Sequence, residues 1–139
     1  MASTLNPYLT FQGTAREAME FYRQVFGGEL TLTTFAEFGL TDIPNPEYVM
    51  HARLDAAAGY VLMASDTAPG MTVTPGSAIT ISISGDDGEA LHGYWNALAG
   101  DGTVTLALER QMWGDEFGML TDRFGIDWMI NISGTVSVA

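Results

Sequence analysis

The chain has 139 residues, 47% apolar and 16% charged, proportions that suit one folded domain (1–139) with a buried core. Seventeen acidic residues against five arginines and no lysine give a net charge of −12, which repels phosphate backbones and anionic membranes and argues against nucleic-acid or membrane partners. Without cysteine there are no disulfides, thiolate nucleophiles or cysteine-bound zinc, and without lysine no Schiff-base chemistry. No apolar run reaches the roughly 18 residues needed to span a bilayer. The opening MASTLNPYL lacks the basic and apolar regions of a signal peptide, so a cytoplasmic protein is expected.

Taken in chain order, residues 6–11 read as a short strand and 13–28 as a helix, with Ala15, Ala18, Met19, Tyr22 and Phe26 at helical spacing on one face. Thr14 is the expected N-cap, with Glu17 at capping-box spacing. Strands follow at 29–37, 49–55 and 60–65, with an irregular loop over 39–47 that contains Pro44 and Pro46. Residues 67–77, rich in proline and glycine, read as a connector. A strand at 78–84 alternates Ile79, Ile81 and Ile83 with Thr80, Ser82 and Ser84; a helix spans 85–100, and strands occupy 103–110, 117–121 and 128–133.

The two halves repeat. Laying 13–28 over 85–100 makes Gly13/Gly85, Glu17/Glu89, Ala18/Ala90, Tyr22/Tyr94 and Gly28/Gly100 identical, and Asp86 takes the place of Thr14 as the expected cap. The fold expected is α+β: two βαβββ repeats, about 5–66 and 78–133, each a curved mixed sheet with one helix on a face. The other face of each sheet is left to enclose a ligand or to pack on its twin.

Several strings carry a family resemblance: NPYLTF in the first strand, the helix AREAMEFYRQVFGGEL, VLMASD followed later by APG, and WGDEFGMLTDRFGIDWMINI over 113–132. Together they resemble the PhnB-like branch of the vicinal oxygen chelate superfamily, which includes glyoxalases, bleomycin-resistance proteins and extradiol dioxygenases, over nearly the whole chain. The glycines of the last string, Gly114, Gly118 and Gly125, fit turns or close backbone approach.

The resemblance implies a glyoxalase/bleomycin-resistance-like fold, a homodimer and, in metal-using relatives, four His, Glu or Gln ligands on the first and last strands of the repeats. Here those strands read NPYLTF, VLMAS, AITISIS and WMINIS, and the positions matching the usual glutamates hold Met63 or Ala64 and Trp128 or Met129. Thioether and indole do not suit a hard or borderline divalent ion, so no metal site and no cofactor are expected. No catalytic set converges. The function expected is binding of a small apolar or aromatic molecule in a homodimer cleft, of which drug sequestration is one version. The candidate ligand-binding residues are Tyr8, Phe11, His51, Met63, Ser65, Asp66, Trp113, Phe117 and Trp128. The competing reading is a metal-dependent lyase, isomerase or dioxygenase with an altered ligand set such as His51 and Asp66; Asp66 is alternatively the cap of the turn that follows it. His92 falls on the polar side of the second helix, where a surface position is expected. GDDGE after a strand lacks the G-x-G-x-x-G spacing of a dinucleotide turn. Relatives of this branch also carry a methyltransferase label, for which the sequence offers no nucleotide-cofactor signature.

Overall fold

The computed structural model describes residues 3–134. The chain forms two compact units, Met1–Thr74 and Pro75–Ala139, and the division falls inside the 67–77 connector. Each unit is a βαβββ with a four-stranded mixed sheet.

In the first unit the elements run β1 (Tyr8–Phe11), α1 (Ala15–Phe26), β2 (Glu29–Thr34), β3 (Val49–Asp55) and β4 (Val61–Asp66). The strand order is β1-β4-β3-β2; β1 and β4 are parallel and the other neighbours antiparallel. The apolar stripe of α1 is fully buried, with Ala15, Ala18, Met19 and Tyr22 at 0% exposure, against the inward residues Leu9, Phe11, Ala52, Leu54, Leu62 and Ala64. β4 alternates strictly between buried and half-buried positions, the period-2 signature of a sheet with one covered face.

The start of α1 differs from the expectation. Thr14 makes no side-chain capping bond. The buried carboxylate of Asp66, at the end of β4, takes that role from across the fold: Oδ1 accepts from the amides of Gly13 (2.8 Å) and Ala15 (3.0 Å), and Oδ2 from the amide of Val49 (2.9 Å). One side chain thereby joins the turn after β1, the start of α1, β3 and β4. β2 also ends earlier than 37. A reciprocal capping box stops it at Thr34: Glu37 Oε1 accepts from the Thr34 amide (3.0 Å), and the Glu37 amide donates to Thr34 Oγ1 (3.2 Å). These bonds start a single 3-10 turn, Ala36–Phe38, and hold the Glu37 carboxyl below its ordinary range.

The second unit runs β5 (Ile81–Gly85), α2 (Gly88–Ala99), β6 (Thr103–Arg110), β7 (Glu116–Thr121) and β8 (Asp127–Ile132), in the order β5-β8-β7-β6. Here the helix is capped locally. Asp87, rather than the expected Asp86, accepts from the Ala90 amide at 3.2 Å. Leu91, Trp95 and Leu98 of α2 are buried, as are Leu120, Trp128 and Ile130 of the sheet. Gly118 is required by this packing: a Cβ there would lie 2.7 Å from the Trp95 ring and 2.8 Å from the Leu108 backbone. Among the described residues no helix is long and apolar enough to cross a membrane.

The two capping arrangements make a paired prediction. Asp66→Ala strands three amides and is expected to cost about 3 kcal/mol or more. Asp87→Ala should cost about 1 kcal/mol, the usual value for a local cap, and Thr14→Ala less than about 0.5 kcal/mol. Urea unfolding of the three variants checks the ranking.

Candidate functional site

Strand alternation sorts the candidate residues onto two faces. In the first unit the face away from α1 carries Tyr8 and Thr10 of β1, Met63 and Ser65 of β4, and His51, Arg53 and Asp55 of β3. The ladder sets Tyr8 beside Met63 and Thr10 beside Ser65, with Arg53 on the other side of Met63. Tyr8 reaches across β4 so that its hydroxyl lies 3.1 Å from His51 Nδ1; the rings are 5.8 Å apart and tilted by 31°. Either group can be the donor, because the imidazole tautomer decides the direction. Arg53 is bound to Asp55 through Nε–Oδ2 (3.0 Å) and Nη2–Oδ1 (3.0 Å). That pairing raises the arginine pKa and lowers that of the aspartate, and it neutralises these two charges against each other. Around that pair the strands β1, β4 and β3 leave a phenol, an imidazole, a thioether and two hydroxyls, and β2 adds Glu29, Thr31 and Thr33 opposite Asp55, Arg53 and His51.

In the second unit the corresponding face carries Ser82 and Ser84 of β5, Phe117, Met119 and Thr121 of β7, and Asp127, Met129 and Asn131 of β8. Asp127 accepts from the Thr121 hydroxyl at 2.6 Å. Trp113 lies in the turn between β6 and β7, half-exposed, with its ring 6.5 Å from that of Phe117. The turn is tied to the end of β8 by Asp115, which accepts from Asn131 Nδ2 (3.0 Å) and from the Gly134 amide (2.9 Å).

Of the candidate residues, the structure therefore places Tyr8, His51, Met63 and Ser65 together on one open face, and Phe117 with Trp113 on the side of the second sheet away from α2. Phe11, Asp66 and Trp128 lie with the cores instead, at 4%, 4% and 1% exposure. The reason is the two-residue repeat of a strand: Tyr8 and Phe11 are three apart, as are Met63 and Asp66, so each pair must point to opposite faces. Trp128 shares the buried side of β8 with Ile130 and Ile132, and its Nε1 donates to the buried Asp122 at 2.8 Å. His51 and Asp66, the alternative ligand pair, are accordingly on opposite faces, and both oxygens of Asp66 are taken by amides. His92 is half-exposed on α2, 3.1 Å from Glu116 Oε1.

The same alternation resolves the metal positions. Met63 and Met129 stand on the open faces, while Ala64 and Trp128 are buried. The outward positions of the first and last strands thus hold Tyr8, Thr10, Val61, Met63, Ser65, Ser82, Ser84, Asp127, Met129 and Asn131, a set with one carboxylate, Asp127 at the start of β8, beside hydroxyls, thioethers and an amide, which does not fit a hard or borderline divalent ion. Among the described residues no group of three or more His, Asp or Glu is placed to hold a metal. Sequence reading missed Thr10, Arg53, Asp55, Met119, Met129 and Asn131 as members of these faces, although counting by twos from Tyr8, His51 and Phe117 would have found Thr10, Arg53, Asp55 and Met119.

Residues 3–131 match the family model described as 3-demethylubiquinone-9 3-methyltransferase. Among solved structures, protein PA1353 from Pseudomonas aeruginosa is 36% identical with a TM-score of 0.80, covering 96% of this chain and 99% of its own. A Bacillus cereus protein described as a putative 3-demethylubiquinone-9 3-methyltransferase, PhnB protein, is 24% identical with a TM-score of 0.74, covering 94% and 100%. The fosfomycin resistance protein FosX from Listeria monocytogenes shares the fold alone, at 10% identity and a TM-score of 0.65, covering 97% and 96%.

The Asp115 tie yields a pH prediction. Its bonds to Asn131 and Gly134 hold the carboxyl below its ordinary 3.8 in the folded chain. The stabilisation is therefore complete above the unfolded value and is lost as the pH falls through the lower folded one. Thermal melts should show Asp115→Ala below the wild type at about pH 6, with the gap narrowing as the pH drops through and beneath 3.8.

Proposed function

The chain belongs to the 3-demethylubiquinone-9 3-methyltransferase family, a PhnB-like branch of the vicinal oxygen chelate superfamily, and from that premise we propose that it is a cytoplasmic, homodimeric protein that binds a small apolar or aromatic molecule without a metal ion. The observation that supports this reading best is the make-up of the open face of the first sheet. Tyr8 and Met63 offer an aromatic face and a polarizable thioether against which a flat ring packs. The hydrogen-bonded Tyr8–His51 pair offers a directional polar contact at its edge. Arg53 and Asp55 neutralise each other there, which favours a neutral ligand over an anion or a cation.

A FosX structure is described as complexed with manganese and sulfate. Its likeness to this chain is one of fold, and the outward positions of the first and last strands here offer thioethers, hydroxyls and a single carboxylate, Asp127, where such an ion would need several imidazole and carboxylate ligands. Methyl transfer is likewise not part of the proposal. The glycine-rich turn between β5 and α2 has the wrong spacing for a nucleotide-cofactor loop, and its Asp87 is engaged in capping the helix.

Equilibrium dialysis against manganese and zinc with elemental analysis is expected to leave well under one ion per chain. A stoichiometric ion that disappears in His51→Ala would overturn the metal-free reading. With 1-naphthol as a fluorescent probe, Tyr8→Ala and His51→Ala should each weaken binding by about 3- to 10-fold, the worth of one lost hydrogen bond and its packing. Sedimentation at micromolar concentration should give a dimer mass; a monomer would remove that part of the proposal.

A further inference from the structure

Where the first sheet ends, beyond β1 and β4 and ahead of β3, lies a cavity of about 240 Å³ that shares no residue with the Tyr8–His51 face. Its walls are Phe35 and Tyr48, Pro44 and Asn45 of the loop before β3, and Pro69 and Met71 of the connector, with Gln12 and Thr67 between them. In a chain of net charge −12, no lining residue carries a charge.

The walls are pinned rather than loose. The Phe35 amide donates to the Tyr48 carbonyl (3.0 Å), the Tyr48 amide to Asn45 (3.1 Å) and the Ala36 amide to Pro46 (2.8 Å). On the other side the Thr67 amide donates to Phe11 (2.8 Å) and the Met71 amide to Ala68 (3.0 Å). Asp66 holds Val49 and Gly13, the neighbours of Tyr48 and Gln12. Gly13 backs the Tyr48 ring: its φ is +95°, and a Cβ would lie 2.7 Å from the Tyr48 hydroxyl, so the phenol rests where only glycine admits it. A pocket built this way exists before any ligand arrives, which removes part of the ordering cost of binding.

We propose that this cavity is a second binding site, for a neutral, single-ring aromatic molecule bearing a carboxamide or hydroxyl group. Size sets the ring count: roughly 150 Å³ suffices for benzene, and drug-sized ligands need about 300 Å³ or more. Phe35, Tyr48 and Met71 supply aromatic and thioether contacts for a ring. The lining selects neutrality, because a charged group would lose hydration and meet no counter-charge. Polarity at the rim comes from the Asn45 carboxamide and the Tyr48 hydroxyl, neither of which hydrogen-bonds to another described residue.

The test is a titration of the full-length, nitrogen-15-labelled chain with benzamide, with benzoate as the charged counterpart. Benzamide is expected to give saturable amide shifts at Gln12, Phe35, Asn45, Tyr48 and Thr67, with a Kd on the order of 1 mM. Shifts at Tyr8, His51 and Met63 should be absent, and benzoate should bind at least about tenfold more weakly. Tyr48→Ala should weaken benzamide about tenfold; Asn45→Ala, in an exposed loop, provides a second variant whose fold is not at issue and should weaken it about threefold. Absence of saturation, shifts centred on His51 and Met63, equal binding of benzoate, or unchanged affinity in Asn45→Ala would each overturn the proposal. Because the two sites have separate reporter residues, failure here is distinguishable from failure of 1-naphthol binding at the Tyr8–His51 face.

Discussion

A single buried carboxylate organises the first unit. Asp66 closes β4, and its two oxygens bind amides at the entrance of α1 and the start of β3. A carboxylate removed from water is costly unless its lone pairs are met, and here three backbone N–H groups meet them. Those same N–H groups would otherwise be orphans at a helix start and a strand end. The arrangement therefore satisfies acceptor and donors together, and it fixes where Gly13, Tyr48 and Thr67 stand. Both the open face that carries Tyr8 and Met63 and the cavity walled by Tyr48 inherit their positions from it.

The second unit has the same strand order and the same helix, yet it closes differently. Position 132, at the end of β8, is an isoleucine packed in the core, and α2 takes its cap from Asp87 next to it. The buried aspartate of this unit is Asp122, which gathers the amides of Phe124 and Ile126 and the indole of Trp128 into the β7–β8 turn. Each unit thus keeps one buried acid. In one it joins two strands, a helix and the turn before it, and in the other it shapes a single hairpin.

Much of the architecture was legible in the chain alone. The repeat, both helices and the spans 49–55 and 103–110 follow from periodicity and glycine punctuation, because those signals are local. The caps were not legible. Thr14-x-x-Glu17 and Thr34-x-x-Glu37 have the same spacing, but only the second forms the box, since the first helix start is already served by an acid distant in sequence. The make-up of the candidate face is legible in part: Tyr8, His51 and Met63 do share one open face, whereas Phe11, Asp66 and Trp128, alike in chemistry, fall on the buried faces by strand parity. Strand parity already puts Arg53 and Asp55, two positions apart, on one face, but that the two side chains meet in a paired hydrogen bond is shown only by the structure.

The separation between Asp66 and the helix it serves also has a temporal meaning. The bond to Ala15 spans 51 positions, whereas the Asp87 bond to Ala90 spans three. On a chain growing from its N-terminus, α2 carries its own start signal as soon as it emerges, while α1 waits for the last strand of its sheet. Contacts that close such long loops form late because the entropy of closure precedes their reward. The first unit therefore reaches its native helix start only when β4 has paired beside β1. Until then the strip of Ala15, Met19 and Tyr22 lacks the part of its cover that Leu62 and Ala64 of β4 provide, so VLMASD brings the helix its cap and the rest of its sheet together.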